Sequence, residues 1–271
     1  MRIFAQNLHS MDIAYVIGTG SKWQNNELRY SLRSIDRYGQ GLGEVYIIGD
    51  ELPDFIEPSS VRFLQVKDAA PGRPQYNCAL KIRHLFENTD VDRFLLSSDD
   101  HFFIRPVCFD RWPLHYKGKE MPSDDTKGVG DARYTRAMAD TRRFMERHRL
   151  DLRYWEGHTN KLYTRAAWEY LTAGEIGEDF FRTMEAAKYG ICVNSPMQAV
   201  VYQQEAVYMK VGVCQRKDVK LRHLNTPEDW ELLKDTESFS IYDSAINTGV
   251  AGLLQVLFPD KCRFEKKSIF S

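Results

Sequence analysis

The chain has 271 residues, 43% of them hydrophobic and 13% aromatic, with 37 basic side chains against 38 acidic ones. This length suffices to bury one large core, and the balanced charge excludes a whole-chain field drawing it to nucleic acid or anionic membrane. Five scattered cysteines without a Cys-x-x-Cys pair exclude a disulfide framework and a structural zinc site. The first dozen residues lack the apolar run of a signal peptide, and no window nears 18 uninterrupted apolar residues, so a soluble protein of the reducing cytoplasm is expected.

Residues 12–20 (DIAYVIGTG) form an apolar run stopped by two glycines, the pattern of a buried parallel strand opening into a loop. The period then changes. Leu28, Leu32 and Ile35 recur at helical spacing over residues 25–39, with Asn25 or Asn26 as cap and Gly39 as terminator. Residues 44–50 and 61–66 are two more short apolar runs, and strand, helix, strand is the signature of a parallel sheet. A helix over 75–88 carries Cys78, Ile82, Leu85 and Phe86 on one face and leads into the strand Phe94-Leu95-Leu96. After Pro106, residues 117–131 read as an exposed loop rich in Gly, Pro, Lys and Asp. Helical patterns follow at 132–148 and 164–173, then a helix opens near Ser195-Pro196. Residues 206–213 read as a strand and 249–267 as a helix halted by Pro259. The fold expected is α/β in a single domain, with an open, mostly parallel sheet flanked by helices and a helical C-terminal half.

Asp99 and Asp100 end the strand over 94–96, at the sheet edge where open α/β folds place their ligands. Two adjacent carboxylates repel one another and lose hydration, a cost that a divalent cation with oxygen preference offsets; the bland alternative is a turn cap beside a solvated acid. Mg²⁺ or Mn²⁺ would bring a diphosphate with it. Gly18, Thr19 and Gly20 follow the first strand and permit close approach of a nucleotide to the backbone. They form neither the dinucleotide fingerprint, which needs a third glycine, nor a Walker A loop, since Lys22 follows Ser21 in the wrong order. Arg29 and Arg33, at i and i+4, are candidates to hold phosphate oxygens or pair with the acids, against a solvated face. His101, His158 and His223 are candidate bases or metal ligands, His223 being the favoured metal ligand if its segment returns beside Asp100.

Residues 26–35 (NELRYSLRSI), followed by Val45-Tyr46-Ile47-Ile48-Gly49-Asp50 and Pro53, resemble the second conserved block of the Stealth family of sugar-phosphate transferases. Ser98-Asp99-Asp100-His101-Phe102-Phe103 is similar to that family's Asn-Asp-Asp block, and residues 258–266 (FPDKCRFEK) to its terminal block. The pieces cover about a quarter of the chain and fall in the family's order. Departures exist: the first block lacks its aspartate at residues 15–21, and Cys262 stands where serine is usual.

The resemblance implies a GT-A-type fold and a nucleotide-sugar substrate, with residues 1–106 as the donor-binding half and 107–271 as the acceptor and lid half. A UDP-sugar would lie across the strand ends, near Gly18, Thr19, Gly20, Arg29, Arg33 and Asp50, with Lys81 or Arg83 assisting. Asp99, Asp100 and His223 would hold Mn²⁺ or Mg²⁺. Asp100, His101, His158 and Asp243 are the candidate catalytic residues, three of them bases for a hydroxyl acceptor, and the 117–131 loop would close over the donor. The acceptor expected is a glycan. The alternatives are sugar-1-phosphate transfer, glycosylation of a hydroxymethylated DNA base by a phage-type enzyme using the Arg-rich 133–149 surface, and a non-catalytic nucleotide- or glycan-binding module.

Overall fold

The computed structural model describes residues 10–122, 132–187, 190–216, 218–223, 226–247 and 249–267. In chain order the first half runs β1 (Met11–Val16), α1 (Asn26–Tyr38), β2 (Gly39–Gln40), β3 (Leu42–Gly49), β4 (Arg62–Gln65), α2 (Pro74–Asn88), β5 (Arg93–Ser97), β6 (His101–Phe103), β7 (Val107–Cys108) and β8 (Leu114–Tyr116). The second half adds α3 (Ala132–Arg147), β9 (Lys161–Thr164), α4 (Arg165–Thr172), α5 (Gly174–Ala186), α6 (Asn194–Val201), β10 (Val213–Gln215), β11 (Lys220–Leu221), α7 (Pro227–Lys234), β12 (Ser238–Ile241) and α8 (Val250–Leu257).

The principal sheet has the order β4-β3-β1-β5-β9. All pairings in it are parallel except β9 on β5. From β1 the chain steps outward to β3 and β4, then crosses to the other side of β1 for β5. The winding therefore reverses between β1 and β5, and the loops leaving their C-terminal ends diverge and open a crevice. Ile13, Ala14 and Tyr15 are fully buried, which is why β1 reads as an unbroken apolar run rather than an alternation. A second layer, β11-β12-β6, stands beyond this edge, with β12 antiparallel to β6. Phe102, Phe239, Ile241, Leu221 and the apolar face of α8 form its own small core.

Helix α1 joins the two layers. Leu28, Leu32 and Ile35 are buried as the spacing predicts, and so are Ser31 and Ser34. Tyr15 Oη lies 3.0 Å from Ser31 Oγ, which donates to the His101 carbonyl at 2.7 Å, while Ser34 Oγ accepts the Phe103 amide at 3.1 Å. The buried hydroxyls thus fasten β6 to the helix and leave none of their own polarity unpaired. Asn25 sits at the cap position in the left-handed region (φ 58°) without a side-chain cap bond; Ser21 Oγ accepts its amide instead, at 2.8 Å. A side chain at Gly39 would collide with the Phe109 ring and the Ile35 carbonyl, so close packing imposes that glycine.

Arg33 ties the C-terminal segment to the same helix. Its Nε and Nη2 donate to Glu265 at 2.6 and 3.0 Å, and Nη1 donates to the Phe258 carbonyl at 2.7 Å. Backbone bonds from Glu57 to Phe264 and from Lys266 to Phe55 seat the segment.

Two expectations about elements are corrected. Residues 206–213 do not form a strand: Val207, Tyr208 and Met209 are exposed, Met209 is left-handed (φ 56°), and β10 begins only at Val213. An apolar run with no strand beside it has no ladder to join. The C-terminal half is not purely helical either, since β9, four buried residues too short to show a period, returns to the main sheet. Of the 117–131 loop, residues 117–122 pass along Tyr154 and Leu152, and 123–131 lie outside the described residues.

Glu265 is 3% and Arg33 12% exposed at the side chain, so Arg33→Ala strands a buried carboxylate. The expected loss is about 3 kcal/mol, read as a lower urea midpoint. Burial raises the Glu265 carboxyl, but the Arg33 hydrogen bonds and charge outweigh it and hold it below its usual range. Its contribution is therefore complete above the ordinary glutamate value and disappears as pH falls through the depressed one; Glu265→Gln should flatten that acid limb of the stability profile.

Candidate functional site

Residues from both layers meet where β1 and β5 diverge. Gly18, Gly20 and Ser21 from the loop after β1, Asp99 and Asp100 from the turn after β5, Glu27 from α1, and Ile241, Asp243 and Ile246 line one cavity of about 220 Å³. The sequence expectation that Gly18, Gly20, Asp99, Asp100 and Asp243 belong together holds geometrically; Thr19 lies exposed beside the glycines.

Four carboxylates in so small a space cost free energy, and the titration of Asp99 and Asp100 registers it. Asp99 is pushed up to about 7 by burial first, then by Asp100 and Glu27. Burial also raises Asp100, with Asp243 adding to the rise, and Lys220 opposes it through its charge and a hydrogen bond. Lys220 Nζ is 3.2 Å from Asp100 Oδ2 and only 15% of its side chain is exposed. The ammonium also donates to the His158 ring, 3.2 and 3.0 Å from its two nitrogens, and lies 4.7 Å over the Tyr242 ring. His158 is positioned in turn by its amide, which donates to Asp218, itself paired with Lys117 at 2.9 Å. This chain, Asp100 to Lys220 to His158 to Asp218 to Lys117, braces one wall of the cavity.

Several candidates are placed elsewhere. Arg29 and Arg33 face the C-terminal segment: Arg33 is spent on Glu265 and Phe258, and Arg29 is 3.6 Å from Glu265 with its guanidinium over Phe55. Neither reaches the cavity, because the i, i+4 face they share is the one on which Glu265 is buried. His101 is 1% exposed and packs edge-on against Phe103, and burial pushes it down to about 3, so it cannot act as a base on a substrate in the crevice. His158, pushed down to about 3 by burial and by Lys220, is a poor base at neutral pH and already accepts from an ammonium. His223 is half exposed, its Nδ1 pairs with Asp229 at 3.0 Å, and it is not among the residues lining the cavity of Asp99 and Asp100. Asp50 follows β3, one strand removed from the crevice, 4.0 Å from Lys67. Lys81 is buried and donates to the Ile17 carbonyl at 2.8 Å and to Asp68, so it supports the glycine loop from beneath instead of entering the cavity. Arg83 pairs with Glu87 on the surface.

Two residues escaped the sequence reading. Lys220 lies in the segment that yielded His223, and strand alternation was the available signal: residues 220 and 223 fall on opposite faces of an extended segment. Glu27 lies in the quoted block, and its Oε2 is buried without a partner, the mark of a side chain held for something other than the fold.

The Arg-rich surface is largely committed to internal pairs. Arg142 bonds Glu146 and the Met121 carbonyl, Arg143 bonds Asp140, and Arg147 bonds Asp179. These contacts match the solvated-helix alternative better than a basic cleft. Among the described residues no three His, Cys, Asp or Glu side chains are grouped to hold a metal by themselves, and no helix is long and apolar enough to cross a membrane. Compared with known proteins, the chain matches no family model and no curated protein.

The repulsion at Asp99 yields a test. Asp99→Asn removes one charge without changing shape, and the expected result is a melting temperature higher by about 2–4 °C, the shift that about 1 kcal/mol produces in a chain of this size. An unchanged or lower value in a calorimetric scan would show that the carboxylate is compensated.

Proposed function

We propose that the chain is a nucleotide-sugar-dependent glycosyltransferase of GT-A type, moving a sugar, from a UDP-sugar by preference, to a hydroxyl of a glycan. One observation carries the reading: the acid pair opens into the same cavity as a glycine loop at the point where the sheet reverses its winding, the place where open α/β folds hold phosphorylated ligands. The order of the blocks that resemble the Stealth family supports it further, since α1 bonds both to His101, next to the acid turn, and to residues 258 and 265.

Gly18 and Gly20 leave the backbone open to the nucleotide, and α1 directs its N-terminal end and Glu27 toward the cavity. Asp99 and Asp100 fit Mn²⁺ or Mg²⁺ brought in with the diphosphate, because such ions are commonly held by one or two carboxylates plus substrate phosphates and not by an all-protein cage. Bound there, the ion supplies Lewis-acid stabilisation of the departing diphosphate. Lys220 orients Asp100 and opposes the rise that burial imposes on its carboxyl. Asp243, 79% exposed at the cavity rim and 4.0 Å from Lys22, is the remaining candidate base for the acceptor hydroxyl, His101 and His158 having been withdrawn by burial.

Incubation with a panel of nucleotide sugars and Mn²⁺ tests the proposal. UDP release from the effective donor is expected, UMP release would mean that sugar phosphate moves instead, and saturable UDP binding with no turnover of any donor would make the chain a binding module. Asp243→Asn is expected to lower kcat by about 10²–10⁴ with little change in donor KM, and His223→Ala to leave both constants alone. Donor binding that is insensitive to Asp100→Ala would remove the acid pair from the site.

A further inference from the structure

A larger cavity, about 820 Å³, lies at the other end of the β6–β12 pair. Ile241, at the C-terminal end of β12, lines the carboxylate pocket, whereas Thr236 and Glu237, just before its N-terminal end, line this second cavity. Four residue steps of extended chain run from Glu237 to Ile241, about 13 Å. The second cavity has the size of ligand sites generally, and where the charged residues lining the first are carboxylates alone, this one carries three arginines beside Asp235 and Glu237. Arg105 and Arg111 enter it from the stretch 105–113 and Arg216 from just after β10, beside the buried Trp112.

Glu237 pairs with Arg216 at 3.1 Å and Asp235 also lines the wall, so the three arginines exceed the two acids by one charge. After burial, the groups that push His115 down to about 3 are Lys161, Arg216 and His101, all of basic type. At Cys214, whose thiol burial raises, the downward pull of Arg216 exceeds the opposing push of Glu237. His115 is 4% exposed and its Nδ1 has no hydrogen-bond partner, an unusual expense for a residue with a purely structural duty. Arg105 is exposed at the mouth and, among the described residues, has no hydrogen-bond or ion-pair partner.

We propose that this cavity is a second ligand site, distinct from the carboxylate pocket, that takes a small anion-bearing ligand whose carboxylate or phosphate is held by Arg105, Arg111 and Arg216 with its apolar part over Trp112. The site stands independently of the transferase reading.

Cys108 and Cys214 line the cavity and report on it, while Cys262, on the far side of α1, serves as internal control. The experiment follows alkylation of each thiol by N-ethylmaleimide in the intact protein by mass spectrometry, at constant ionic strength, with inorganic phosphate, glucuronate or neutral glucose added. Phosphate or glucuronate is expected to slow alkylation of Cys108 and Cys214 at least three-fold and saturably, glucose to leave it unchanged, and Cys262 to be unaffected. Protection by one anion and not the other identifies the headgroup. Arg105→Ala should abolish the protection, and Asp100→Asn should retain it, so that failure here and failure of the carboxylate pocket are read apart. Absence of protection by both anions, equal protection by glucose, or full protection in Arg105→Ala would overturn the proposal.

Discussion

The two layers of this protein are held in register by hydrogen bonds from one helix. Ser31 and Ser34 bond to the backbone of β6, and Arg33 bonds to Glu265 and the Phe258 carbonyl. The acid turn is suspended between these attachments: β5 enters it from the main sheet and β6 leaves it fastened to α1. Apolar packing alone would let such a turn shift by fractions of an ångström, since methyl surfaces tolerate sliding. Directional bonds made by buried hydroxyls tolerate far less, because a displaced donor leaves an unpaired polar group in the core. The precision of the crevice is therefore inherited from a helix that barely enters it.

The carboxylates at the crevice are a strained feature in a stable frame. Asp99 is raised by burial and by its neighbours, while Asp100 is partly relieved by Lys220. Such an arrangement costs the fold free energy, and perturbed carboxylates of this kind cluster at functional sites. Lys220 is held in turn by the His158 ring and the Tyr242 face, so its ammonium stays with the acid instead of reaching for water. Both acids are raised, but only Asp100 has a fixed cation opposing the rise, an inequality that resembles the separation of roles paired carboxylates adopt in acid–base and metal chemistry.

The sequence revealed the scaffold better than the site, and the reason is periodicity. The runs in β1, β3 and β5 and the spacing of Leu28, Leu32 and Ile35 are repeated signals, each residue reinforcing the next. The acid pair was legible because it interrupts such a signal at a strand end. Single polar residues carry no repetition: Lys220 and His223 look equally eligible in one dimension, and only pairing of β11 with β12 decides which faces Asp100. Arg29 and Arg33 were misjudged for a related reason. Their shared helix face was read correctly, but its occupant, Glu265, lies more than 230 positions away in the chain and left no local trace.

His101 shows most plainly how the chain sorts neighbouring polar residues. Asp99 and Asp100 belong to a turn, where consecutive side chains can share one side, whereas β6 begins at His101 and imposes alternation from there. The imidazole consequently points inward, against Phe103, and its backbone carbonyl is taken by Ser31. A histidine adjacent to two carboxylates would ordinarily pair with one and become protonated; sealed between the layers instead, it stays neutral and adds no cation to the crevice. The positive charge beside Asp100 then comes from Lys220 alone among the groups that bond it, and from a strand that reaches the site from more than a hundred residues downstream. Bringing that strand home is what couples completion of the crevice to completion of the fold.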